Sequence, residues 1–345
     1  MRAFAKKSSR SPGMAEPIRV LSGMQPTGAL HIGNYVGALR QFAVMSRDPA
    51  YDALYCVVDA HAITVDYDPK ELPDRVFATT VTYLAAGIDP EKSALFVQSD
   101  VPQHTELAWY LTCITPMGDL QRMTQFKDKS VQHKALNAGL FTYPVLMAAD
   151  ILVYKAGLVP VGDDQVQHLE LAREICRKFN SHFGHVFPEP KPQLSTTPRI
   201  LGLDGKGKMS KSLGNTIDVL DPAAVVEKKL RGAFTDPQKL RLGDPGRPEI
   251  CNVFTMHRGF TPEDVRETID RDCRTGALSC GDCKKLLATR MNDELEPIRE
   301  RAAELRADRK RVLNVLQDGA ARARTLAEST MTEVRSVMGL TTHGR

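Results

Sequence analysis

The sequence predicts an α/β protein with a Rossmann-type parallel sheet in its first half and an all-helical C-terminal region. Three observations carry that reading. Short apolar runs in the first half alternate with helical periodicities. Three of these runs hand over to Gly or Asp, residues suited to the turn that follows a parallel strand. From Pro222 onward the pattern is helical, with no convincing strand.

The first run, Ile18 to Ser22, ends at Gly23, and the second, Leu54 to Val58, at Asp59. Ala94 to Val97 is the third, and Val159 to Val161 ends at Gly162. Helical patterns cover Ile32 to Met45, Leu72 to Ala86 and Asp164 to Phe179. Strands separated by crossover helices pair in parallel with right-handed connections. Such sheets bind ligands beyond the carboxyl ends of their strands, which is where Gly23, Asp59 and Gly162 fall. Residues 201–215 are rich in Gly, Ser and Lys and read as a mobile loop. Ala223 to Arg231, Lys284 to Arg306 and Val312 to Met338 fit helices. The expected division is a disordered extension (1–16), a sheet domain with a helical insertion (17–200), the loop (201–215) and a helical domain (216–345).

The 345 residues suffice for two domains, and 42% hydrophobic with 26% charged residues is ordinary for a globular chain. No apolar stretch reaches about 18 residues, which argues against a membrane span. The first sixteen residues carry Arg2, Lys6, Lys7 and Arg10 with no acid before Glu16, a composition resembling a targeting segment. They lack apolar periodicity, and Met14 offers a downstream start. With no secretory h-region, the expected location is the reducing cytoplasm. The net charge of +4 permits a nucleic-acid partner without demanding one. The cluster Arg306, Arg309, Lys310 and Arg311 fits a solvated helix face or a nucleic-acid surface.

Two motifs suggest nucleotide chemistry. Gln25-Pro26-Thr27-Gly28-Ala29-Leu30-His31-Ile32-Gly33-Asn34 follows the first strand and opens a helix. A helix N-terminus offers free N–H groups and partial positive charge to a phosphate. Gly33 allows close approach of a base or ribose, and His31 and Asn34 supply neutral donors. The alternative is a capped helix start, with Thr27 as the cap. Lys208-Met209-Ser210-Lys211-Ser212 lies on the glycine-rich loop, where two lysines and two hydroxyls can close over polyphosphate. Alone, it is an ordinary basic loop.

Asp150 stands in an otherwise apolar helical segment, Val145 to Val153. It either faces solvent or is buried with a partner, because a lone buried acid is expensive. Met147 is three residues earlier on the same face and suits a flat ring or an ordinary core. Asp163 and Asp164 follow Gly162 at a strand-to-helix turn, where they can cap the helix or bind a ligand.

Four of the seven cysteines, Cys251, Cys273, Cys280 and Cys283, are separated by 21, 6 and 2 residues. In a cytosolic chain this suggests metal rather than disulfides. With only one C-x-x-C, the pattern suits a 4Fe–4S cluster better than a two-knuckle Zn²⁺ site, and free thiols are the third possibility.

In this order, the two nucleotide motifs resemble the HIGH and KMSKS elements of class I aminoacyl-tRNA synthetases, with Asn34 replacing the final His. From about residue 18 nearly the whole chain is similar to the tryptophanyl-tRNA synthetases. The similar segments include residues 22–38, Val58 to Thr64, Arg122 to Lys129, Tyr143 to Leu152 and Val159 to Gln165.

The resemblance implies specific roles. The acid matching Asp150 accepts the indole N–H of L-tryptophan, with Met147, Val58 and His61 around the ring. Tyr143, Gln165 and Gln25 match residues that hold the amino and carboxylate groups. Gln25, Pro26, Thr27, Gly33, Asn34, Gly162, Asp163, Asp164 and Ile200 match the ATP site, Ile200 through its backbone. Lys208, Met209, Ser210, Lys211 and Ser212 complete it, and Lys129 matches a lysine that reaches the phosphates. The tryptophan carboxylate attacks the α-phosphate of ATP, pyrophosphate leaves with Mg²⁺, and the 3′ end of tRNA(Trp) takes the tryptophanyl group. Catalysis rests on position and positive charge, with Lys208, Lys211, Lys129, His31 and Asn34 bearing on the phosphates. The helical domain is implied to bind the anticodon and the enzyme to be a homodimer. A subset of the family carries a 4Fe–4S cluster on a very similar cysteine pattern, with a first interval one residue longer.

Overall fold

A computed structural model describes residues 16–123, 137–194, 200–210 and 213–340. Its centre is a five-stranded, all-parallel sheet in the order β3-β2-β1-β4-β5. The strands are β1 (Ile18–Met24), β2 (Tyr51–Val57), β3 (Ala94–Val97), β4 (Leu158–Val161) and β5 (Lys191–Leu194). The first four coincide with the apolar runs. β5 has no such signal: it is an edge strand of largely exposed residues containing Pro192, which an edge tolerates. Strand order reverses between β1 and β4, so a crevice opens at their carboxyl ends.

The helix after β1 is not uniform. It begins as α1 (Ile32–Asn34), widens to a π-helical segment over Tyr35–Leu39, and continues as α2 (Arg40–Met45). Single π turns of this kind concentrate at functional sites. The expected cap, Thr27, is not the cap. His31 is: its Nδ1 accepts from the Asn34 N–H at 3.3 Å, and Asn34 Oδ1 accepts from the His31 N–H at 3.1 Å. The Ile32 N–H donates to Ile217 O. Two amides of the first turn are therefore satisfied within the protein, so a phosphate here depends more on side chains than the motif suggested.

The remaining helices of the first half are α3 (Asp59–Ala62), α4 (Leu72–Ala85), α5 (Gln103–Thr112), α6 (Met117–Gln121), α7 (Ala138–Val153) and α8 (Val166–Phe183). Asn137 caps α7, accepting from the Leu140 N–H at 2.7 Å and donating to Thr64 O at 3.0 Å. The second half contains α9 (Ala223–Arg231), α10 (Asn252–Phe260), α11 (Glu263–Arg274), α12 (Cys280–Ala307) and α13 (Arg309–Val337). No described helix is long and apolar enough to cross a membrane.

The two long helices pack against the sheet unit. Ala320, Ala323, Ala327, Met331 and Val334 of α13 share one buried cluster with Phe96 and Leu107. Gly319 lies so close to the β3 backbone that a Cβ would collide with the Leu95 carbonyl. Arg322 donates to Pro90 O and Ser93 O, and Arg324 to Asp100 O. Together they cap the otherwise free edge of β3. Glu294 of α12 accepts from Tyr35 Oη at 2.8 Å and Arg40 Nη2 at 2.7 Å, tying the π segment to the helical region. In the basic cluster, Arg309 lies 4.3 Å from the Phe77 ring centroid and meets Asp74, so it serves packing between α13 and α4.

Candidate active site

A cleft of about 500 Å³ occupies the switch point. The ends of β1 (Ser22, Gly23, Met24, Gln25) and of β4 (Val161, Gly162) line it, with Val58, His61, Tyr143, Met147, Asp150, Asp164 and Gln165. Gly23 is required where β1 meets β2, because a Cβ would sit 2.8 Å from Val58 Cγ1 and 2.9 Å from Cys56 O.

Asp150 is buried, which settles its orientation. Its Oδ2 meets His61 Nε2 at 2.8 Å, and its Oδ1 meets His104 Nδ1 at 2.6 Å and Gln98 Nε2 at 2.7 Å. Burial alone would raise its pKa, but hydrogen bonds from His104 and His61 outweigh it and hold the group at about 2. The carboxylate stays ionised inside an apolar wall. Burial pushes the Tyr143 hydroxyl up to about 12, and that hydroxyl pairs with His168 Nε2 at 2.8 Å.

A second cleft, about 440 Å³, adjoins the first through Met24 and Gln25 and is lined by Thr27, Ala29, Leu30, His31, Asn34, Met209 and Ser210. Gly33 faces it differently: a Cβ there would lie 3.0 Å from the His31 ring and 4.0 Å from Ile200 O. Glycine thus keeps the His31 ring folded over the turn, opposite the Ile200 backbone. Pro26 lies between Gln25 and Thr27, outside both linings.

The lysine-rich motif approaches the same region. Lys208 Nζ donates to Asp164 Oδ2 at 2.8 Å, and Gln165 Nε2 donates to the same oxygen at 3.1 Å. Partial burial alone would raise Asp164, but Lys208 and Gln165 lower it below the usual carboxylate range. Both members of the Lys208–Asp164 pair are about half exposed, so the pair contributes at most about 1 kcal/mol. Met209 is buried, and Asn215 organises the loop: its Oδ1 accepts from the Ser210 N–H at 2.7 Å while its Nδ2 faces Asp204 and Lys208 O.

Lys129, Lys211 and Ser212 lie outside the described residues, as does the side chain of Asp163. Sequence reasoning missed Gln98, His104 and Asn215. Gln98 follows β3 directly and was open to the same carboxyl-end rule that selected Gly23 and Asp59. His104 carried no signal, being one histidine in a helix with no strong apolar stripe.

The described residues lend the metal expectation no support. Among the described residues no group of three or more His, Cys, Asp or Glu is disposed to hold a metal ion. Cys251 and Cys283 are buried and Cys273 and Cys280 half-buried, all as free thiols. Burial pushes Cys283 up to about 12 and raises Cys251 and Cys273, the neighbouring cysteines adding to each shift. Cys283 Sγ instead contacts His257 Nε2 at 3.5 Å.

The comparisons agree with this geometry. Residues 14–296 match the family described as class I tRNA synthetases (W and Y), and the chain belongs to that family. A tryptophan–tRNA ligase of Deinococcus radiodurans is 50% identical over 324 residues, spanning 93% of this chain and 98% of its own. That of Caldanaerobacter subterraneus is 45% identical over 328 residues, spanning 93% and 98%. The Campylobacter jejuni tryptophanyl-tRNA synthetase solved with ADP and tryptophan is 36% identical, with a TM-score of 0.82 over 93% of this chain and 100% of that one. Within the family, its place is with the bacterial-type tryptophanyl-tRNA synthetases.

Proposed function

We propose that this chain is a tryptophan–tRNA ligase: it activates L-tryptophan with ATP and passes it to tRNA(Trp). The observation that carries the substrate is Asp150, an ionised, buried carboxylate beside Met147 in a cleft at the switch point. Indole has one donor and no acceptor, so an anionic acceptor in an apolar wall suits it. A phenyl ring would leave that carboxylate unpaired, the situation in which a site rejects an analogue strongly.

Tryptophan occupies the larger cleft with its ring against Met147, Val58 and His61. Its amino and carboxylate groups turn toward Tyr143, Gln165 and Gln25. ATP occupies the adjoining cleft and reaches into the larger one, with its base near Gly33 and the Ile200 backbone and its ribose at Gly162, Asp163 and Asp164. Both clefts share Gln25, so the carboxylate and the α-phosphate meet there. Lys208 leaves Asp164 for the phosphates, joined by Lys211 and Lys129, with Pro26, Thr27, His31, Asn34, Met209, Ser210 and Ser212 shaping or bonding the nucleotide. Mg²⁺ enters with ATP and leaves with pyrophosphate. Positive charge placed where negative charge accumulates supplies the rate.

Tryptophan-dependent ATP–pyrophosphate exchange tests this reading. Exchange with tyrosine and none with tryptophan would overturn the substrate. Lys211→Ala should lower the rate of exchange far more than tryptophan affinity, and equal losses would remove its role.

Three parts of the reading rest on resemblance. The helical region from 216 binds the anticodon, and the protein works in the cytoplasm. It works as a homodimer, a reading supported by Trp109 and Met117, which are 66% and 63% exposed on adjacent helices. Sedimentation of the purified protein at the monomer mass would remove the dimer. A 4Fe–4S cluster, or Zn²⁺, on Cys251, Cys273, Cys280 and Cys283 is supported by donor chemistry and by the mutual proximity of the thiols. The activation step does not pass through it. Anaerobically purified protein free of iron, sulfide and zinc would end that part of the proposal.

A further inference from the structure

The reading of Asp150 as the indole acceptor leaves open what makes its carboxylate accept one donor and hold one orientation. A carboxylate has about four acceptor positions, two on each oxygen. On Asp150, Gln98 Nε2 and His104 Nδ1 fill both positions of Oδ1, at 2.7 and 2.6 Å. His61 Nε2 takes one position of Oδ2 at 2.8 Å. One position remains, on Oδ2, in a residue that lines the cleft.

His104 is fully buried, and its second nitrogen is also committed: Nε2 meets Tyr154 Oη at 2.7 Å. Tyr154 is fully buried as well, and burial raises its hydroxyl far above the ordinary phenol range. It therefore remains a neutral O–H; because the carboxylate only accepts, a neutral His104 ring carries its proton on Nδ1, facing Asp150, and its Nε2 accepts from Tyr154 Oη. The Phe96 ring packs against both, with centroids 6.0 Å from His104 and 5.7 Å from Tyr154. Gln98 is buried too, and its Oε1 has no partner among the described residues, so its amide is held for the bond to Asp150 at a cost.

We propose that Gln98, His104 and Tyr154 form a positioning relay that saturates Asp150 Oδ1 and leaves a single acceptor position on Oδ2, so that the site selects an aromatic amino acid presenting one ring N–H. This rests on the Asp150 reading and extends it from one residue to a chain running from the cleft through α5 and back to the end of α7. None of the three relay residues lines the cleft. They act on the substrate through Asp150 alone.

The test compares tryptophan with its isostere in which sulfur replaces the indole N–H, using pyrophosphate exchange with each. The wild-type protein should favour tryptophan by at least 10³-fold in kcat/KM. Tyr154→Phe removes one oxygen from the relay and should lower that preference about tenfold, through KM for tryptophan, with kcat within threefold. His104→Ala should lower it about 100-fold, and His104→Gln, which restores an N–H donor, should recover part of it. A packing role would instead lower both substrates together and leave the ratio unchanged. Folded Tyr154→Phe protein, by circular dichroism and melting, that keeps the full wild-type ratio would overturn the relay. A wild-type protein with no preference for tryptophan over the isostere would overturn the Asp150 reading itself. Tyr154→Phe is the smaller change, so the relay remains testable if His104→Ala does not fold.

Discussion

The two adjoining clefts are built on opposite principles. Around Asp150 every protein donor is already in place, buried and hydrogen-bonded before any ligand arrives. Around Asp164 the contacts are half exposed, and Lys208 rests on the carboxylate with no buried support. The first cleft pays for selectivity with desolvation, since the Asp150 charge is tolerable only through its partners. The second is labile, as the proposed exchange of Asp164 for a phosphate at Lys208 in every turnover requires. Discrimination needs a rigid site and turnover needs a yielding one, and one chain holds both a few residues apart.

The contrast can be broken most directly at Asp150. Asp150→Asn keeps the shape but turns an acceptor into a donor against His61 or His104. The expected loss is about 10³-fold or more in kcat/KM for tryptophan, measured by pyrophosphate exchange. A loss below tenfold would mean that the buried carboxylate does not read the ring. The labile side should respond differently. Lys208→Ala should cost about 10²-fold in kcat with the tryptophan KM within threefold and an unchanged melting temperature. A large fall in melting temperature would make Lys208 a structural residue and erase the distinction.

Acid titration sharpens it further. The Asp150 pKa is depressed in the fold to about 2, so its contribution is complete above the unfolded value of 3.8 and is lost as pH falls toward 2. In urea unfolding, the stability gap between wild type and Asp150→Asn should be constant from pH 7 to 5. It should then narrow by roughly 2 kcal/mol by pH 2, the size expected of such a shift. A gap that already closes between pH 6 and 5 would show that the carboxylate is not held down by its histidines. The smallest effect belongs to Asp164→Asn, which should change stability by less than about 1 kcal/mol in the same assay.

Much of this was legible before any coordinates. The four apolar runs became β1 to β4 because buried parallel strands must be apolar on both faces, and such runs stand out. Asp150 was conspicuous because an acid in a run of Ile, Leu, Val and Ala has few explanations. β5 stayed hidden because an exposed edge strand carries no apolar pattern. His104 stayed hidden because its meaning lies in Asp150, 46 residues away, and a single sequence does not express pairing between distant elements. The alternative cap for α1, Thr27, is the commoner residue type for that role, whereas the folded turn recruits His31 and Asn34 reciprocally. Cysteine spacing describes the chain and not the packing of α10, α11 and α12, and among the described residues no group of three or more ligands disposed to hold a metal ion stands beside it.

The packing of α13 against β3 also bears on how the chain is made. β3 is an edge strand whose free side is covered by residues 309–337, more than 200 positions downstream. During synthesis the sheet is complete in sequence long before its edge is covered. Until α13 arrives, the Leu95 carbonyl row and the apolar surface around Phe96 and Leu107 stand open to other nascent chains. The backbone of Gly319, pressed against that carbonyl, closes the edge, so a helix near the end of the sequence protects a strand from its first third.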